Sequence, residues 1–239
     1  MNWEKVKTFL IVLFFAINVF LVGFMLNSVK ITSSASKTVI EDTAAILNAN
    51  NISISKEIIP YSIANPGTFD AVPITIDHSY DSPRKLADSN VEAQIKKALA
   101  VIDVKNYNIH KIDDSTYSVV QKSGGYTVYD GRITAKVENN RISLKGVWYK
   151  QKTKPKKSGN ADGGLVFVTG VLIDFINNPD RNPSVHNSIS SVEVGYCVPQ
   201  YDSGMQHVSV PVVACYSITT SDGTVFIYEA SSGEYLRNK

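Results

Sequence analysis

Four histidines, two cysteines and one dense lysine run are the side chains of this 239-residue chain with the readiest chemistry. His78, His110, His186 and His207 are scattered, and no two stand in the H-x-H or H-E-x-x-H spacing that holds a metal. Each reads as a surface histidine or one satisfied within the fold. No G-x-S-x-G elbow, S-x-x-K pair or Walker A loop occurs. The glycine-rich "SGNADGG" lacks the Gly-Lys-Ser/Thr ending of a phosphate cradle. Adjacent carboxylates such as Asp113-Asp114 fall in turns, where they bond backbone amides or face water. The expectation is a non-enzyme, with no catalytic residues, no metal ligands and no cofactor.

The lysines Lys150, Lys152, Lys154, Lys156 and Lys157 form the densest charge feature. Held near an anionic surface, wall polymer or lipid headgroups, each cation is worth about 1 kcal/mol. A solvated loop that keeps a hairpin soluble is the weightier reading. Nucleic acid is disfavoured, because net charge is only +2 with 19% charged residues and no aromatics interleave the basic run. Tyr126, Tyr129, Trp148 and Tyr149 lie on alternating strands and read as sheet packing, a ligand groove being the minor alternative. Any small-molecule ligand is left open. Two cysteines, Cys197 and Cys215, make no disulfide framework.

The elements that must position these groups begin with an apolar run. Phe9 to Leu26 carries no charge, and Asn18 is its only strongly polar side chain. As a helix it would span roughly 27 Å, close to a bilayer's hydrocarbon core. A signal-peptide core is shorter, and the nearest cleavage-like site, Ser34-Ala35-Ser36, lies well beyond the run. An uncleaved anchor over 8–28 is therefore expected, with a cleaved signal as the alternative. Lys5 and Lys7 precede the span while Lys30 and Lys37 follow it, which places 1–7 in the cytoplasm and the bulk of the chain outside the cell membrane. Asn18 is either a tolerated polar residue or a hydrogen-bond donor to another transmembrane helix.

Beyond the anchor, 29–110 reads as helix–strand–helix and 111–239 as antiparallel α+β. "SASKTVIEDTAAILNANN" is a helix capped by Ser36, with Val39, Ile40, Ala44 and Leu47 near one face. "ISISKEIIP" alternates like a strand, and "AVPITID" is a second. "SPRKLADSNVEAQIKKALAVID" is helical, with Leu86, Val91, Ile95 and Leu99 on one stripe. "TYSVVQK", "GYTVYDG", "RITAKVE" and "RISLKGVWYK" are four strands separated by turns at Gly124-Gly125, Asp130-Gly131 and Asn139-Asn140. "LVFVTGVLIDFINNPDRNP" reads as a helix stopped at Asn177-Asn178-Pro179, with a strand as the alternative for its β-branched start. A hairpin centred near Gln206 would set Val194 against Ile218, Tyr196 against Tyr216 and Cys197 against Cys215. The two thiols are then free, or joined as a cross-strand disulfide. "GTVFIYEA" and "SSGEYL" follow. Helices and runs of hairpins together indicate α+β, with antiparallel sheets carrying packed helices.

At the start, "NWEKVKT" runs into an apolar span containing "INVFL". At the end, "VEVGYCV" is followed by "VPVVACYSITTSDGTVFIYEASSGE", a Gly-Tyr strand, a Pro-apolar strand, a "DG" turn and a "SSGE" tail. With these two stretches, about a third of its length, the chain resembles the YycI regulatory proteins of Gram-positive bacteria. It implies a membrane-anchored accessory of the WalK-type (YycG) sensor histidine kinase of cell-wall homeostasis, acting with a YycH-like protein. It implies no catalytic residues, and it makes the span with Asn18, Val19, Phe20 and Leu21 the contact with partner helices. The paired cysteines and the lysine run depart from the family pattern. The rival class is an anchored binding module for wall polymer, or a protease-propeptide-like inhibitor.

Overall fold

The computed structural model describes residues 36–83, 89–156, 164–199 and 208–239. Its secondary structure is α+β: three α-helices and a mostly antiparallel sheet of nine strands. Ser36 opens α1 (Lys37–Ala49), its hydroxyl accepting from the Val39 amide, and Asn50 closes it. Ile40, Ala44 and Leu47 are buried, whereas Val39 stands 44% exposed, one position off the apolar stripe. The strand expected at "ISISKEIIP" does not form. Asn51 enters the left-handed region (φ 59°), Ser53 makes a single bridge to Ser188, and Lys56–Ile58 is a 3-10 turn. The alternation there is nonetheless real, since Ile52, Ile54 and Ile59 are all buried.

β1 (Phe69–Asp81) leads to α2 (Val91–Val101), which buries Val91, Ile95 and Leu99; Leu86 lies outside the described residues. Next comes an antiparallel meander of β2 (Tyr107–Lys111), β3 (Thr116–Ser123), β4 (Tyr126–Glu138) and β5 (Arg141–Gln151). β2 is not among the strands expected from the sequence. Gly124 and Gly125 (φ 57° and 90°) and Asn139 and Asn140 (φ 45° and 68°) form the two tight hairpin turns, where positive φ favours these residue types. Asp130-Gly131 is not a turn. β4 runs straight through it, because its first half leaves β5 and pairs in parallel with a later strand.

α3 (Val168–Ile176) opens a second meander of β6 (Ile189–Cys197), β7 (Val210–Thr220), β8 (Val225–Glu229) and β9 (Tyr235–Asn238). A helix followed by four antiparallel strands thus occurs twice, an order that no sequence periodicity announces. The meanders join in a closed circuit: β4 pairs β5, β5 pairs β1, β1 pairs β7, β7 pairs β6, and β6 returns to β4 at Thr127–Gly195 and Val128–Tyr196. Phe69, Ala71, Val128, Tyr149, Tyr196, Val198, Val210 and Val212 make up the core where these strands meet. α2 covers one face of the first meander, and α1 with α3 covers one face of the second.

The β6–β7 register differs from expectation by two residues. Val192 faces Ile218, Val194 faces Tyr216 and Tyr196 faces Ala214. A two-residue slip keeps every side chain on its predicted face, so the apolar pattern is satisfied equally by either register. The hairpin centre near Gln206 lies outside the described residues.

Where β4 peels away from β5, a side chain replaces the missing ladder. A bulge between Val120 and Lys122 accompanies Gln121, whose Nε2 donates to the Tyr149 carbonyl (2.7 Å) while its Oε1 accepts from the Tyr149 amide (3.0 Å). The carboxamide acts as a one-residue strand. A Cβ at Gly131 would sit 2.2 Å from the Gln121 oxygen, so this glycine makes room for it.

Candidate functional site

Four sets of residues carry the polar chemistry of the described chain. The first is the lysine tract. Lys150 lies in β5 opposite Val72, the Lys152 amide donates to the Asp70 carbonyl (2.8 Å), and Lys156 exchanges two backbone bonds with Thr68. The tract is therefore not a free loop. It continues β5 along the start of β1, and its backbone is pinned while Lys150, Lys152, Lys154 and Lys156 remain exposed. Lys157 lies outside the described residues. Lys156 also lines a groove of about 430 Å³ with Asn65, Thr68, Leu165, Val213 and Glu229.

The second set is the cysteines. Cys197 faces Val213 and Cys215 faces Gly195, so the direct pairing expected from the sequence is corrected to a diagonal one. Both thiols are free and wholly buried, packed with Ile227 beneath Tyr129. Burial, reinforced by the hydrogen bond with Cys197, pushes the Cys215 thiol well up. Raised and enclosed thiols of this kind are inert. Tyr129 closes the compartment from β4, its hydroxyl bonded to Ser217.

The third set escaped the sequence reading altogether. Asp130, read there as a turn residue, is a nearly buried carboxylate with a side chain 9% exposed. Its Oδ2 accepts from Arg237 (2.6 Å) and from the Val198 amide (2.8 Å), and its Oδ1 from Lys239 (2.6 Å). Lys239 also reaches the Tyr129 carbonyl (2.9 Å). This network ties β9 to the point where β4 joins β6. The available signal was parity: Asp130 continues the set Tyr126, Val128, whose members pack into the central core.

The fourth is His186, the one histidine with a structured polar environment among those described. Its Nδ1 accepts from the Asn182 amide (2.9 Å), its Nε2 lies 3.6 Å from Asp222, and its ring meets Phe226 edge-on. Asp222 in turn accepts from Thr220 and Thr224, which with the nearby His186 hold its carboxyl below the usual range. This is turn architecture that fastens the β7–β8 hairpin. His78 and His110 lie apart on β1 and β2, and His207 is outside the described residues. Among the described residues no group of three His, Cys, Asp or Glu side chains is placed to hold a metal. No described helix is long and apolar enough to cross a membrane; Asn18, Val19, Phe20 and Leu21 lie outside the described residues.

Two buried phenols couple the stability of the fold to alkaline pH. The Tyr196 hydroxyl donates to the Pro66 carbonyl and that of Tyr216 to the Val166 carbonyl, each at 2.7 Å. Burial pushes both phenols up to about 12. A group raised above its unfolded value, about 10 for tyrosine, contributes stability that is complete below that pH and lost as pH rises through the folded value. Unfolding free energy measured by urea titration is thus expected to fall between about pH 10 and 12. The fall should be shallower in Tyr196→Phe and Tyr216→Phe. An unchanged slope in both variants would remove these phenols from the account.

No family model matches the chain, and no curated protein matches it. Among solved structures it is similar to the Bacillus megaterium YpeB C-terminal domain, at 12% identity and a TM-score of 0.38. The match covers 86% of this chain and 97% of that one. A likeness at that score carries no weight for function.

Proposed function

We propose that the chain is a membrane-anchored, non-enzymatic accessory protein whose extracytoplasmic α+β body and transmembrane helix together modulate a sensor histidine kinase of cell-wall homeostasis, with a YycH-like protein as co-partner. The observation that carries this reading is the uncharged stretch Phe9–Leu26, preceded by Lys5 and Lys7 and followed by a folded body. The resemblance of both chain ends to the YycI proteins supplies the kinase. Asp130 and His186 are each held by several intramolecular partners, so they brace strands and turns.

A helix transmits a signal only if its contacts differ between the two states of the kinase. Asn18 suits such a contact, since lipid offers its amide no partner. A photo-crosslinker at position 18 in intact membranes should capture a kinase helix. Asn18→Leu should leave the body folded but shift kinase output. Unchanged co-purification and unchanged output in that variant would exclude Asn18. Residues beyond 30 that resist external protease in intact cells, yet yield after lysis, would sink the topology itself.

A second reading rests on the pinned lysine tract, whose exposed ammonium groups would meet anionic wall polymer. Sedimentation of the chain with cell wall, abolished by joint substitution of Lys152, Lys154 and Lys156, would favour it.

A further inference from the structure

The first meander ends on an edge with unusual symmetry. Among the described residues β2 pairs on one side only, with β3. The Lys122 amide donates to the Asn106 carbonyl (2.7 Å) and the Ile112 amide to the Thr116 carbonyl (2.9 Å), at either end of the β2–β3 ladder. In an antiparallel ladder bonded and non-bonded residues alternate. Asn108 and His110 therefore bond inward to β3, while Tyr107 and Ile109 direct their N–H and C=O groups away from the sheet. Natural edges are blunted by shortness, charge, proline or a bulge. β2 is five residues long and ends on Lys111, but it carries neither proline nor bulge, and Ile112 just beyond it is 63% exposed.

The sequence around this edge is self-complementary. Turned antiparallel on itself about Ile109, the segment sets Ile109 against Ile109 of the other copy, Tyr107 against Lys111, and Asn108 against His110. The pairing is confined to these five residues, because Asn106 (φ 58°) turns the chain before β2 and Asp113 already lies in the β2–β3 turn. No like charges oppose each other in this register.

We propose that β2 is a homodimerisation edge: two copies join antiparallel through Tyr107–Lys111, extending one sheet across a two-fold axis at Ile109. Such a pairing is isologous, each strand supplying and receiving the same bonds. It stands apart from the anchor reading, because it uses only residues of the folded body.

The test uses the full chain in mild detergent, with mass read by light scattering. The wild type should have the protein mass of a dimer. Ile109→Pro removes an outward N–H without touching the β3 ladder, so it should be monomeric with an unchanged far-ultraviolet circular dichroism spectrum. Ile109→Cys should crosslink to itself under mild oxidation, since directly opposed strand residues fall within disulfide reach. Thr134→Cys, on the middle of the same sheet, should not. A monomeric wild type, a dimer that survives Ile109→Pro, or crosslinking no better than at position 134 would each overturn the proposal. Should Ile109→Pro unfold, the crosslinking comparison alone decides. A dimer held by the N-terminal span instead would survive Ile109→Pro, so failure here leaves the anchor reading intact.

Discussion

Replacing Asp130 by alanine is expected to destabilise the protein by about 3 kcal/mol, measured as the change in unfolding free energy by denaturant titration. The carboxylate accepts from Arg237, Lys239 and the Val198 amide. Its loss takes the counter-charge from a guanidinium only 26% exposed, leaving it the Val198 carbonyl alone, and takes the acceptor from the Val198 amide. Breaking one side of such a pair costs more than the pair contributes, because the remaining charge is stranded away from water. Lys239, at 31% exposure, is better hydrated, and Lys239→Ala should cost no more than about 1 kcal/mol. The two substitutions share a partner, so their effects should not add. Arg237→Met in the Asp130→Ala background should recover part of the loss, since it removes the stranded charge. A loss below about 1 kcal/mol for Asp130→Ala would mean that the network is surface decoration.

Gly195→Ala should have a comparable effect for a different reason. A Cβ at this position would lie 2.5 Å from a ring carbon of Tyr129 and 2.6 Å from the Thr127 carbonyl oxygen. Neither neighbour yields easily. Thr127 is backbone in the parallel pairing of β4 with β6, and the Tyr129 ring is fixed by Ser217 and packs with the two cysteines. One methyl group must therefore push β4 from β6, at a cost of about 3 kcal/mol. The reporter is built in. In the wild type Cys197 and Cys215 are wholly buried and should react with a thiol reagent only on unfolding. In Gly195→Ala they should react in the folded state, as Tyr129 lifts. Thiols that stay inert and an unfolding midpoint that does not move would show that the junction yields without opening.

Much of this fold could be read from residue order, and the misreadings share a cause. The Ser36 cap, the Gly124-Gly125 and Asn139-Asn140 turns and the faces of β6 and β7 depend on neighbours a few residues away. These local signals are the ones the chain obeys. Asp130-Gly131 has the composition of a turn, but its conformation is decided by β6, Val198 and Arg237, all more than sixty residues distant. "ISISKEIIP" has the alternation of a strand but finds no ladder beyond one bridge. Alternation set the parity of the closing hairpin and left its register open by two residues, which is why the cysteines were placed opposite rather than diagonal. Of the candidate site, the lysine tract was legible as charge but not as a strand extension. Asn18 and its neighbours lie outside the described residues.

The contacts that close the strand circuit join residues very far apart along the polymer: Asp130 to Arg237 over 107 positions, and Tyr196 to Pro66 over 130. Such links form late, since each requires a large loop to be gathered first. A polypeptide emerging vectorially, head first, can assemble the α2 meander as it appears, but the clamp on that meander waits for Arg237 and Lys239. Until they arrive, the Asp130 carboxylate has neither of its cations and β4 is not yet tied to β9. The interval between exit and latching is therefore when this junction is most open to proteolysis.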